Sequence, residues 1–277
     1  MEAIWKAVER AKARTVSQDR QRLDRPNSAP QPNSTLVPPG SAEAAQWVRD
    51  VDLKIAHLDH HRVIAYNAAD PRARAFDSLR TQVLQSMDQR SWQFLAVTSP
   101  GAGCGKTMTA VNLALSVARQ PERAAILVDL DMKKPHVAAS LGLDCQKGVV
   151  SVLQGQNAIT DALIQVNVGS CSLLVLPAEK AVTDSSELIT SRAMSNLLQD
   201  IKRQFPAHTV ILDLPPMLVG NDVIALLPQT DCALLVAAVG TSTISEIREC
   251  NKHLQSTPLV RLVLNKVPMS AQPYYGY

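Results

Sequence analysis

Several absences narrow what this chain can be. It has no run of about 18 apolar residues, which excludes a helix that spans a membrane unaided. Its start, Met-Glu-Ala-Ile-Trp-Lys, places charges where a signal peptide needs an apolar core, so no secretory leader is expected. The five cysteines, at 104, 145, 171, 232 and 250, are odd in number and scattered, with no Cys-x-x-Cys pair. That pattern speaks for free thiols in a reducing cytosol. The body of the chain also lacks excess charge. Residues 1–25 carry seven Lys/Arg against four Asp/Glu and account for the whole formal charge of +3, while the remainder balances at 21 of each sign. Nothing there suggests a nucleic-acid partner.

What is present suits one domain of about 200 residues with flanking segments. Residues 1–14 place Ile4, Ala7, Val8 and Ala11 on one stripe among Lys and Arg, which predicts a basic amphipathic helix for a membrane surface or a partner helix. Residues 15–42 hold Pro26, Pro30, Pro32, Pro38 and Pro39 among Asn, Ser and Gln, the composition of a disordered linker. Residues 43–267 form the main domain, and 268–277 a flexible tail holding Tyr274, Tyr275 and Tyr277, three of the four tyrosines. His57, His60 and His61 share a helical spacing that could hold a metal in principle. Without a companion cysteine or acidic cluster they read as a solvated polar patch.

The apolar runs 94–98, 124–128, 172–176, 209–212, 232–238 and 259–264 are continuous rather than alternating, and helical stretches near 73–87, 108–119, 186–203 and 244–254 separate them. Strands buried on both faces and interleaved with helices predict an α/β fold with a mainly parallel central sheet flanked by helices. Ligands in such sheets gather at the carboxyl ends of the strands. The first run is followed by Ser99-Pro100-Gly101-Ala102-Gly103-Cys104-Gly105-Lys106-Thr107-Met108, which opens a helix. Strand, glycine-rich turn, Gly-Lys-Thr and helix together make a phosphate-binding loop, although Pro100 stands where the first glycine of the motif usually sits. Lys106 would reach the β/γ-phosphates and Thr107 would offer its hydroxyl to Mg²⁺. Asp129, Asp131 and Asp213 also fall at strand ends. Asp213 suits a metal-holding carboxylate, and the Asp129/Asp131 pair could divide metal and base duties.

The ordered set resembles the bacterial tyrosine kinases (BY-kinases) of capsule and exopolysaccharide synthesis, over about residues 60–277. The set comprises Phe76…Leu79-Arg80-Thr81, the Gly-Lys-Thr loop, Val-Asp-Leu-Asp-Met-Lys-Lys-Pro, Val-Ile-Leu-Asp-Leu-Pro-Pro, Asp222, Leu264-Asn265-Lys266-Val267 and the tyrosine-rich end. The resemblance implies a phosphate-loop NTPase fold related to partitioning ATPases, with ATP and Mg²⁺ as cofactors. It implies that the loop from Gly101 to Met108 and Asn265 hold the nucleotide, that Thr107, Asp131 and Asp213 hold the metal, and that Lys106, Asp129, Asp131 and Asp213 are catalytic. The acceptors would be Tyr274, Tyr275 and Tyr277 of a neighbouring copy in a homo-oligomer. A cytoplasmic location, with peripheral membrane association through a transmembrane polysaccharide co-polymerase that activates the kinase, is implied too. The chain departs from the family pattern at three places. Arg74, Asp77 and Arg80 stand where Glu-x-x-Arg-x-x-Arg is usual, Lys133 replaces an arginine, and Glu179 replaces a glycine. Gly101 occupies the position of the partitioning branch's signature lysine. The alternative to a kinase is a non-catalytic ATP-binding regulator assembled on the co-polymerase.

Overall fold

The computed structural model describes residues 48–268. The predicted helix at 1–14, the linker at 15–42 and the tail tyrosines Tyr274, Tyr275 and Tyr277 lie outside them. Eight strands form one sheet: β1 (Arg49–Asp52), β2 (Phe94–Thr98), β3 (Ala124–Asp129), β4 (Ile164–Val168), β5 (Cys171–Leu176), β6 (His208–Asp213), β7 (Cys232–Ala238) and β8 (Leu259–Asn265). Their spatial order is β1-β4-β5-β3-β6-β2-β7-β8. Every pairing is parallel except β4 with β5. The helices are α1 (Ile55–His60), α2 (Ala73–Asp88), α3 (Lys106–Ala118), α4 (Val137–Leu141), α5 (Val149–Leu153), α6 (Ile159–Ala162), α7 (Ser185–Thr190), α8 (Arg192–Gln204), α9 (Asp222–Leu226) and α10 (Ile244–His253). Among the described residues no helix is long and apolar enough to cross a membrane.

The central strands are apolar throughout because both faces are covered. On one face Ala96, Ile126, Val128, Val210, Leu212 and Leu235 join α8 and α9 in one core cluster. On the other, Leu95, Val97, Leu127, Ile211, Leu234 and Val236 pack with α2 and α3. Each fully buried Leu, Ile or Val contributes about 1.5–3 kcal/mol, so the sheet is a stiff base for whatever its ends carry. Two strands were not foreseen. β4 alternates buried and half-buried residues, and it turns into β5 through Gly169 at φ +59° as a hairpin. β1 is four residues long and mostly polar, so no apolar run announces it. The single helix expected over 186–203 is two. Ser191 breaks it by donating to Leu188 O at 2.7 Å and capping α8 through Met194 N.

Helix α3 is buried along most of its length and organises its surroundings through polar side chains. Asn112 is fully buried and fully bonded. Its Oδ1 accepts from Ile64 N and Ala65 N at 2.8 and 2.9 Å, and its Nδ2 donates to Arg62 O and Met108 O at 3.1 and 2.9 Å. The histidine patch packs in the same region: His57 stacks on His61 at 4.3 Å, and its Nε2 lies 2.8 Å from Ala139 O of α4. Glu179 caps α5, accepting from Val150 N and Ser151 N at 3.2 and 2.7 Å.

Asp77 of α2 pairs with Arg80 at 3.1 Å and with Arg119, and accepts from Ser116 Oγ at 2.8 Å. The sign-exchanged helix therefore satisfies its acid inside the subunit. Burial alone would raise the Asp77 carboxyl, but Arg119, Ser116 and Arg80 outweigh it and hold the pKa below 3.8. A depressed pKa stabilises the fold above the unfolded value and loses that contribution as pH falls through the folded one. Wild type should therefore exceed Asp77→Asn by about 1 kcal/mol at neutral pH, with the margin closing in acid. Urea melts at neutral pH and well below pH 3.8 check this; a margin that acid leaves unchanged contradicts it.

Candidate active site

Strands β3, β6 and β2 lie side by side, so their carboxyl ends deliver three loops to one place. Asp129 and Asp213 are register partners across β3 and β6, and Asp213 is level with Val97 of β2. The turn from 99 to 105 then curls over this edge. Gly103 and Gly105 take left-handed backbone, φ +76° and +89°, which side-chain-bearing residues rarely adopt. Gly105 is the N-cap of α3 and is needed for a second reason: a Cβ there would lie 2.2 Å from Asn265 Nδ2. Pro100 is compatible with the loop. It is buried, and its carbonyl accepts from Leu218 N at 3.2 Å while Ser99 O accepts from Met217 N at 2.8 Å.

Lys106 points into the acidic edge. Its Nζ lies 2.7 Å from Asp131 Oδ2, 3.7 Å from Asp213 Oδ1 and 3.2 Å from the Thr107 hydroxyl. Burial opposes the ammonium charge, yet Asp213, Asp131 and Asp129 outweigh it and raise the pKa. Asp213 is completely buried, and neither carboxylate oxygen has a hydrogen-bond partner. Burial pushes its pKa up, against the pull of Lys106. Asp129 is equally buried, and burial together with the neighbouring Asp213 charge raises its pKa. Its oxygens are occupied, however: they accept from Asp131 N, His136 N and Val137 N at 3.2, 3.2 and 3.1 Å. Asp129 thus shapes the loop that carries Asp131, while Asp131 and Asp213 keep oxygens facing the ammonium.

Lys106, Asp129, Asp131 and Asp213 lie together at the carboxyl ends of β2, β3 and β6. Asn265, at the end of β8, donates from Nδ2 to Cys104 O at 2.9 Å and so braces the phosphate loop from the far side of β7. Gly101 is half-buried, and Ala102 and Gly103 are exposed at the loop tip; Thr107 and Met108 are half-buried at the start of α3. Cys104 is buried with Sγ 3.3 Å from Ser242 Oγ, a contact with no signal in the sequence. Also unforeseen is the environment of Asp222. This carboxylate, 3% exposed, accepts from Ser185 Oγ at 2.6 Å and from Ser186 Oγ, and pairs with Lys133 at 3.1 Å. Burial opposes its charge, but the hydroxyls and Lys133 prevail and lower its pKa.

Orphaned buried oxygens on Asp213, the Thr107 hydroxyl beside Lys106 and a loop turned by left-handed Gly103 and Gly105 fit a magnesium-bound polyphosphate. Among the described residues no three His, Cys, Asp or Glu side chains form a ready-made metal cage. Magnesium does not require one, since it is commonly held by one or two carboxylates with substrate phosphates and water. The class this architecture defines is the phosphate-loop NTPase. Residues 93–255 match the AAA domain family, more than half of the chain, and the chain belongs to that family.

The resemblance to bacterial tyrosine kinases is borne out as well. EpsB of Ralstonia solanacearum is 30% identical over 186 residues, which are 67% of this chain and 24% of EpsB. Tyrosine-protein kinase YwqD of Bacillus subtilis strain 168 is 27% identical over 204 residues, 73% of this chain and 84% of YwqD. The crystal structure of the VpsO kinase domain superposes with a TM-score of 0.62 at 26% identity, covering 73% of this chain and all of that domain. The chain thus spans about a quarter of EpsB but most of YwqD.

Replacing the orphaned carboxylate tests the site without any ligand. Asp213→Asn should raise the stability of the nucleotide-free protein by about 1–2 kcal/mol, because a buried charge lacking hydrogen bonds is removed. The same variant should lose magnesium-dependent nucleotide binding. Thermal melts with and without Mg²⁺ and nucleotide report both, and an unstabilised variant would show that Lys106 already compensates the charge.

Proposed function

We propose that this chain is an ATP-dependent protein tyrosine kinase that phosphorylates tyrosines of its own C-terminal tail, in trans, as part of capsule or exopolysaccharide synthesis. The observation that carries the reading is Lys106 held between Asp131 and Asp213 directly behind a left-handed Gly105. In this reading the loop N–H groups and Lys106 bind the phosphates, and Thr107, Asp131 and Asp213 hold Mg²⁺. The metal, when bound, neutralises charge that develops on the transferred phosphoryl group. Asp131, once Lys106 turns to the phosphates, has one oxygen for the metal and a second that can accept the proton of an incoming tyrosine hydroxyl. Asp129 keeps that loop in shape through its three backbone bonds. Asn265 supports the loop on the side where the base of the nucleotide would lie.

The acceptors are Tyr274, Tyr275 and Tyr277, and each phosphate would add about −1.5 to −2 charges to the tail. Crowded phosphates would repel one another and the acidic rim, so a modified tail leaves. The partners in this reading are further copies of the chain and a transmembrane co-polymerase that activates it, with residues 1–14 as the docking element.

The test uses purified full-length chain with ATP and Mg²⁺ and maps phosphotyrosine. Lys106→Ala and Asp131→Asn should each lower incorporation on the order of 100-fold or more. Mixing Lys106→Ala with a chain whose Tyr274, Tyr275 and Tyr277 are changed to Phe should place label on the tail of the lysine variant, the signature of transfer between copies. Nucleotide binding without any phosphotyrosine would instead indicate an ATP-binding regulator.

A further inference from the structure

The cation that clamps the acidic edge is also the one that a nucleotide in the loop would draw on. Lys106 Nζ is shared between Asp131 and Asp213 at 2.7 and 3.7 Å. A polyphosphate offers the same ammonium several anionic oxygens. When Lys106 turns to them, the loops after β3 and β6 lose their common counter-charge, and Asp129, Asp131 and Asp213 repel one another across a low-dielectric edge.

A second cation joins the same two loops farther out. Lys133 lies two residues beyond Asp131, and Asp222 nine beyond Asp213; their Nζ and Oδ2 are 3.1 Å apart. Among the described residues, Lys106 and Lys133 are the two lysines whose ion pairs link the β3 loop to another segment at this end of the sheet. The Lys133 arm is not the sole partner of Asp222, because Ser185 and Ser186 already donate to its two oxygens. Its side chain remains 41% exposed, so the contact adds little to the core. What it adds is a tie. The hydroxyls extend that tie to α7, whose approach is also bonded to the β3 loop through Val182 N and Met132 O at 2.8 Å.

We propose that Lys133 and Asp222 form a latch that holds the Asp131 loop against the Asp213 loop after Lys106 has turned away, keeping the two carboxylates spaced for one divalent cation. Both are positioning residues, acting through Asp131 and Asp213. The latch rests on the reading of the site as one for nucleotide and Mg²⁺, and goes beyond it by assigning metal affinity to a contact outside the site.

The experiment titrates Mg²⁺ against a fluorescent ATP analogue bound to full-length chain, and separately measures analogue affinity without metal. Lys133→Met and Asp222→Asn should each raise the half-saturating Mg²⁺ concentration about tenfold, the usual effect of losing an outer support of a metal site. The double variant should match the single ones, because both break one link, and Lys133→Arg should stay within about twofold of wild type. Metal-free affinity should be unchanged throughout. Lys133→Met leaves the buried Asp222 carboxylate with its two serine donors but without its cation, and thermal melts of each variant separate lost stability from lost metal affinity. Single variants with a wild-type Mg²⁺ requirement overturn the latch, as do variants that lose metal-free affinity to the same degree. A wild-type chain that binds the analogue without regard to Mg²⁺ overturns the underlying site as well.

Discussion

One ammonium group set against three buried carboxylates governs this end of the molecule. Asp129 and Asp213 stand on neighbouring strands at the same level, and Asp131 follows two residues later. Brought together without a cation, such groups would be driven to take up protons or to pull their loops apart. Lys106 limits this because Gly105 turns the chain so that α3 begins at the sheet edge and its first residue faces the acids, although burial and the Asp213 charge still hold the Asp129 carboxyl well above its ordinary value. The sheet order serves the same end. It places β2, which feeds the lysine, directly beside β6, which carries Asp213.

The three carboxylates are not equivalent, and their hydrogen bonds say why. Asp129 spends its oxygens on backbone N–H groups and is fixed as an architectural element. Asp213 spends none and waits as an unsatisfied acceptor in a dry place. Asp131 is tied to Lys106, so its release is coupled to whatever draws that ammonium away. Leaving the buried Asp213 oxygens without partners costs the fold stability. The surrounding core, buried on both faces of the sheet, is large enough to tolerate that loss.

Much of this was legible from the residues. The doubly buried strands β2, β3, β6 and β7 wrote themselves as apolar runs, and the acids at their ends marked the ligand edge because a charge is rarely left there without purpose. β4 could have been found: Ile164-Gln165-Val166-Asn167-Val168 alternates and is followed by Gly169-Ser170, a hairpin signal beside an otherwise parallel pattern. β1 could not, since Arg49–Asp52 owes its extended form to pairing with β4 rather than to its own composition. The partnership of Asp77 with Arg119, and of Lys133 with Asp222, was equally hidden. Both pairs are distant along the chain, and only the packing of α2 on α3 and the meeting of loops at the sheet edge bring them together. Asn265 was reached through the family resemblance, and spacing alone offered nothing for it.

The contact between Gly105 and Asn265 bears on how the chain matures. The phosphate loop sits in the first half of the sequence, yet the amide that braces it belongs to β8, the last strand of the sheet in chain order. During vectorial synthesis the segments carrying Lys106, Asp129, Asp131 and Asp213 leave the ribosome well before Leu259–Asn265 does. The nucleotide cradle therefore acquires its final brace only when the sheet is closed along its far edge, and a nascent or truncated chain lacking that strand presents an unbraced loop.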